Sequence, residues 1–272
     1  MTEFFDIMAA PFIACLILTG IHSYLGMHVL DRGVIFVDLA LAQIAALGST
    51  VGFLFGFGLH SRPGYFISLA FTLLGAAIFA ATKPKKAIVP HEAIIGITYA
   101  VAAAACIIIL SWAPDGGEEL KSLLVGHLLF VEWPEVYKVA LLYSVIGYLH
   151  YKFRKEFCLV TSKSKNTEAR FLNVRFWDFL FYASLGFVVT SSVEIVGVLL
   201  VFSFLIVPAV CTAYLSRNFV TKLLLGWAIG FLVSLAGVVF SYCLDLPTGA
   251  TIVCTFGLAV PLCVGYSSKV VS

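Results

Sequence analysis

Charge is what this sequence lacks: Asp, Glu, Lys and Arg together make up 12% of it, against 61% hydrophobic residues and a mean hydropathy of +1.03. A soluble globular domain needs far more charge to cover its surface, so a soluble core is excluded. No CxxC pair occurs. The seven cysteines, Cys15, Cys106, Cys158, Cys211, Cys243, Cys254 and Cys263, are scattered and mostly lie in apolar runs, which reads as inert packing rather than zinc or disulfide chemistry. No GxxxxGKS/T run is present, so nucleotide phosphates have no loop to bind here. HExxH and GxSxG are missing too, and no enzymatic activity is expected. The N-terminus MTEFFDIMAAPF has Glu3 and Asp6 but no Lys or Arg before the first apolar run. It therefore lacks the basic region of a cleavable signal peptide, and the first span is expected to remain in the mature protein. A net charge of +2 carries no nucleic-acid signature, and no such partner is expected.

What is present is a series of apolar runs near 9–30, 34–57, 63–82, 90–112, 134–151, 176–192, 195–215, 223–243 and 249–267. About 20 apolar residues span a bilayer as a helix. The spacing predicts an all-α polytopic bundle of eight to nine transmembrane helices forming one integral domain over 1–272. Between the fourth and fifth runs, 120–131 (LKSLLVGHLLFV) is too short to span and reads as an interfacial or re-entrant helix.

Orientation follows from Lys and Arg. With the N-terminus outside and the C-terminus in the cytoplasm, all but Arg62, Lys121 and Lys138 of the 17 basic residues fall in inner turns, as the positive-inside rule expects. The outer segments then hold Asp115, Glu118, Glu119, Glu194 and Asp245 among others. The longest inner segment, 152–175, reads as a solvated basic loop whose charge suits anionic headgroups or a cytoplasmic partner.

The run 196–218, VGVLLVFSFLIVPAVCTAYLSRN, carries Pro208 inside a span and stops at Arg217-Asn218. Proline removes a backbone donor, so a kink is expected there. Together with EIVG at 194–197, LDLPTGATIV at 244–253, HEAIIGITYA at 91–100 and LLVGHLLFV at 123–131, it resembles the membrane permeases of bacterial metal-type ABC importers. The order and spacing of these four segments match along nearly the whole chain. The resemblance implies a location in the bacterial cytoplasmic membrane and import of zinc, manganese or iron. It also implies three protein partners: an ATPase subunit that holds ATP and magnesium, an extracytoplasmic metal-binding protein, and a second permease copy, homodimeric or closely related. No cofactor is expected on this chain itself. In that family the segment matching VPAVCTAYLSRN ends in a short cytoplasmic helix-turn that docks on the ATPase, which assigns coupling to Pro208, Ser216, Arg217, Asn218 and Lys222. Gly48/Gly52 and Gly226/Gly230 would permit close helix approach.

A metal path needs N, O or S donors facing one cavity. Family members typically carry Asp and, four residues later, His in the second span. Here VDLALAQIAALG (37–48) puts Gln43 at the histidine position and Leu39 at the aspartate position, with Asp38 displaced by one. Five residues separate Asp38 from Gln43, about 140° around a helix, so they do not share a face. Counting helical rise from the turn at Asp31–Gly33, His22 pairs in depth with Gln43 mid-membrane, and His28 with Asp38 near the inner surface. These four are the candidate substrate stations, because ionisable groups inside a membrane are functional candidates by default. Glu92 follows Pro90 at a helix start, where an acid suits the dipole; it is a secondary candidate. Glu194 and Asp245, in expected outer turns, suit the entrance. A stand-alone secondary transporter or channel is the second reading, although no internal repeat supports it. An integral membrane enzyme with His22, His28 and Asp38 as a catalytic cluster is the third.

Overall fold

The computed structural model describes residues 2–58, 61–83, 89–112, 124–161 and 173–271. They form helices α1 (Thr2–Arg32), α2 (Val37–Leu54), α3 (Arg62–Thr82), α4 (His91–Leu110), α5 (Trp133–Lys152), α6 (Arg154–Thr161), α7 (Val174–Leu215), α8 (Phe219–Leu244) and α9 (Thr248–Val271), with a 3-10 turn at Leu128–Phe130. No strand occurs among the described residues. Seven helices, all but α5 and α6, are long and apolar enough to cross a membrane. At 20 residues α5 has the length. Glu135, Lys138, His150 and its tyrosines lower its hydropathy.

The 42 residues of α7 cover two expected spans. At about 1.5 Å per residue, this many residues suffice for two crossings of the roughly 30 Å hydrocarbon core. The turn expected near 192–195 is helical instead. Ser191 and Ser192 satisfy their hydroxyls on their own helix, at Phe187 O (2.9 Å) and Val188 O (2.6 Å), so they do not stop it. The break comes at Gly197, with φ 76° and ψ 165°. Glu194 is accordingly an exposed helical residue just before that break.

The contacts divide the chain into two compact units, Met1–Leu30 with Val125–Ser144 and Ile195–Ser272, and Asp31–Leu124 with Val145–Glu194. In the first, small residues bring backbones together. A methyl group on Gly26 would fall inside the Leu205 carbonyl, and one on Gly230 inside the Thr19 methyl. The Trp227 indole donates to Gly20 O at 2.9 Å, fastening α8 to α1. Phe204 and Phe256 meet edge to face at 5.3 Å, joining α7 to α9.

In the second unit α2 packs on α3 and α4. A methyl group on Gly48 would lie 2.6 Å from Ser68 Cα, and one on Gly52 3.5 Å from Gly64 Cα. The Ser68 hydroxyl donates to Ala45 O across that contact at 2.7 Å. Both glycine pairs of the sequence analysis, Gly48/Gly52 and Gly226/Gly230, are thus used for packing within this chain, the latter against Ser23 and Thr19 of α1.

The expected helix at 120–131 lies outside the described residues up to 123. Its remainder is a helix end at 124–125, then Gly126 in the left-handed region (φ 71°), then the 3-10 turn. His127 N donates to Ile195 O at 3.1 Å, which pins this segment beside the break in α7. The expected loop 152–175 is also structured in its first half. Phe157 and Thr161 turn inward and fold 154–161 as α6, while 162–172 lie outside the described residues.

Candidate functional site

In the first unit, His22 and His28 are fully buried on α1 but have different surroundings. The His22 ring places Nδ1 2.8 Å from Leu18 O, one turn earlier. A carbonyl only accepts, so Nδ1 is the protonated nitrogen that donates this bond. Tyr143 and Phe204 flank it at 6.2 and 6.5 Å between ring centres. His28 lies between Tyr24 (4.9 Å) and Phe219 (5.7 Å). Phe219 opens α8, so His28 packs against the turn to which coupling is assigned.

In the second unit, Asp38 sits in the first turn of α2, where a carboxylate suits the helix dipole. It is 1% exposed, and neither oxygen has a hydrogen-bond partner among the described residues. An unpaired buried carboxylate is costly, and a cation would satisfy it. Gln43 is also buried on the regular helix that carries Asp38. Glu92 Oε1 accepts from Ile35 N at 3.2 Å, so it ties the start of α4 to the turn that precedes Asp38. Among the described residues no group of three or more His, Cys, Asp or Glu is placed to hold a metal.

The link between α7 and α8 is compact. Past Pro208 the helix continues to Leu215 with regular backbone, and the Thr212 hydroxyl donates to Pro208 O at 2.9 Å. The non-helical backbone of this helix falls at Gly197, about three helical turns before Pro208. Ser216, Arg217 and Asn218 form the whole turn. Asn218 Oδ1 accepts from Val220 N (2.9 Å) and Thr221 N (3.2 Å), capping α8, and Asn218 N donates to the Ser216 hydroxyl at 3.2 Å. Lys222 lies in the first turn of α8. Asn218→Ala removes that cap and should cost about 1 kcal/mol of local helix stability. Hydrogen exchange in residues 219–222 should speed up, and Asn218→Asp should restore protection; equal protection in all three proteins would contradict the capping role.

At the other candidate positions, Asp245 is exposed and ends α8 in the left-handed conformation (φ 51°). The turn after it is held by Ser241, whose hydroxyl reaches Leu246 O and the Thr248 hydroxyl, each at 2.8 Å.

Two features have no counterpart in the sequence reading. One is the contact of Gly126 with the break at Gly197. The other is a buried ionic cluster in the second unit. Asp178 Oδ1 accepts from Arg32 Nη1 and Oδ2 from Lys83 Nζ, both at 2.6 Å. Arg32 Nε donates to the Thr161 hydroxyl at 3.1 Å, and its guanidinium lies 3.9 Å over the Phe181 ring. The available signal was Asp178 itself, an acid inside the apolar run 176–192.

A model of the ABC 3 transport family matches residues 4–264. Among curated proteins the chain is 27% identical to the manganese transport system membrane protein MntC of Listeria monocytogenes, across 86% of this chain and 81% of that protein. It is 26% identical to the manganese import system permease protein ScaB of Streptococcus gordonii, across 93% and 89%. Among solved structures it superposes on a chain of PsaBC from Streptococcus pneumoniae in complex with Fab with a TM-score of 0.79 at 21% identity, covering 96% of this chain and 94% of that one. The helical fold is that of this structure.

Proposed function

The chain belongs to the ABC 3 transport family and is a membrane-spanning permease; on that premise we propose that it passes a divalent metal ion, manganese, iron or zinc, or a small metal complex, into the cytoplasm. The observation that carries this reading is the family match along nearly the whole chain, alongside relatives named for manganese transport. A separate ATPase binds ATP and magnesium and drives the step. An extracytoplasmic protein delivers the metal, and a second permease copy completes the path. The protein lies in the bacterial cytoplasmic membrane with its N-terminus outside, as its Lys and Arg distribution favours. The turn Ser216–Asn218, with Lys222 and the limb around Pro208, docks on the ATPase. Glu194 and Asp245, both exposed, are each assigned to the outer side of the membrane.

On the route itself Asp38 is the principal station, because its buried oxygens have no hydrogen-bond partner among the described residues and suit a hard or borderline cation. His22, buried on α1, is a separate candidate station. His28, Gln43 and Glu92 are auxiliary: the first packs on the coupling turn, and Glu92 holds the turn before Asp38.

The test is reconstitution of the permease with its ATPase and binding protein in proteoliposomes. Metal-loaded binding protein should stimulate ATP turnover and accumulate radioactive manganese, iron or zinc inside. Stimulation and accumulation by none of the three overturns the reading. Asp38→Ala should lower uptake by at least about tenfold, since even indirect partners of a metal ligand cost that much. His22→Ala should lower it less. Undiminished uptake in both variants, at equal membrane abundance, removes them from the route.

A further inference from the structure

At the junction of α5 and α6 a cavity of about 340 Å³ is lined by Tyr151, Lys152, Arg154, Lys155 and Glu156. Three cations and one carboxylate line it, an excess of two positive charges. We propose that this cavity binds the phosphate-bearing headgroup of an anionic membrane lipid, whatever cargo the permease carries.

The rim is held in place from within. α6 is amphipathic: Phe157 and Thr161 are buried, whereas Arg154, Lys155 and Cys158 are exposed. The Phe157 ring stacks parallel on His150 at 4.1 Å and meets Trp177 edge-on at 5.5 Å. His150 in turn shares a 2.8 Å hydrogen bond with the Ser184 hydroxyl. The short helix is therefore anchored to the start of α7. On the rim itself the Arg154 guanidinium lies 5.1 Å from the Tyr151 ring centre and the Lys152 ammonium 5.6 Å from that of Phe153. Both cationic heads are positioned before any ligand arrives, which reduces the ordering cost of binding.

A lipid fits better than a free anion because of what precedes the cavity. Val145, Tyr148 and Leu149 on the last turns of α5 are 52%, 63% and 43% exposed, and Tyr151, at 67%, marks the step from this apolar face to the cations. Tyrosine at such a step is characteristic of the membrane–water interface. Acyl chains lying along the apolar face would bring a headgroup to Lys152, Arg154 and Lys155. A zwitterionic headgroup adds a cation that the site's excess positive charge repels, so the preference is for net negative lipids.

The full-length protein in detergent is tested by native mass spectrometry with phosphatidylglycerol and phosphatidylcholine of matched chains. Two net charges near the surface correspond to about 30-fold preference for the anionic lipid. The triple variant K152Q/R154Q/K155Q should lose the preference, while the control R62Q/K138Q keeps it. Glu156→Gln should raise retention, and it serves as an opposite-sign readout; R154Q alone, with partial loss, replaces the triple variant if that does not fold. Equal retention of both lipids by the unmodified protein, or undiminished preference in the cavity variants, overturns the proposal. So does displacement of the bound lipid by millimolar inorganic phosphate, which would mark a free-anion site.

Discussion

Asp178→Ala should destabilise the protein by about 3–5 kcal/mol, the cost of stranding a buried charge. Asp178 is 1% exposed and is the shared counter-ion of Arg32 and Lys83, each at 2.6 Å. The two cations differ in what they can do once it is gone. The Lys83 side chain is 37% exposed and can turn to water, whereas that of Arg32 is 3% exposed and remains buried between Thr161 and Phe181. The cost therefore lies mainly with Arg32. This gives an order: Asp178→Ala is worst, Arg32→Ala is milder because Asp178 keeps Lys83, and Lys83→Ala is mildest. The double variant R32A/D178A should be more stable than D178A alone, since removing the stranded cation removes the penalty. Thermal unfolding in nanodiscs measures all four. A double variant less stable than D178A, or a D178A protein as stable as the parent, would show that the ion pairs do not hold this unit together.

How far the fold was legible follows from which forces set each boundary. Spans limited by bilayer thickness are read well from apolar run length: 63–82 becomes Arg62–Thr82, 90–112 becomes His91–Leu110, and 249–267 lies within Thr248–Val271. Features set by contacts distant in sequence are not. Ser191, Ser192 and Glu194 look like a turn, yet the serines bond their own helix, and the break falls at Gly197 where residues 124–127 approach. Pro208 lies inside a helix that continues past it, and the non-helical backbone is at Gly197. At the candidate site, Asp38 stood out as an acid in an apolar run. That its oxygens lack hydrogen-bond partners among the described residues is a property of the packed structure. Asp178 carries the same signal but follows a polar stretch of sequence, and only the structure shows it joined to Arg32 and Lys83. The roles of His22 and His28 diverge for a similar reason: their spacing along α1 places them at different levels, and the neighbouring rings decide what each can touch.

Gly126→Ala and Gly197→Ala should each prevent a stable fold or lower the unfolding temperature sharply. A Cβ on Gly126 would clash with the Val196 carbonyl carbon and the Gly197 nitrogen, and lie 2.6 Å from the Val196 oxygen, all of them backbone atoms with no rotamer to yield. Its φ of 71° adds left-handed strain of about 1–2 kcal/mol. Gly197, at φ 76° and ψ 165°, occupies a region essentially closed to residues with a side chain, which costs about 1–3 kcal/mol even before any neighbour moves. Relief by shifting residues 124–127 away would break the His127 N to Ile195 O bond and open the contact of Val125 with Gly249. The control is Gly257→Ala, at a helical glycine with open space around its Cβ, which should be neutral or stabilising by up to about 1 kcal/mol. Monodisperse yield and unfolding temperature of the three variants decide the matter. If Gly126→Ala and Gly197→Ala unfold within a degree or two of Gly257→Ala, the break in α7 is not held by the segment beside it.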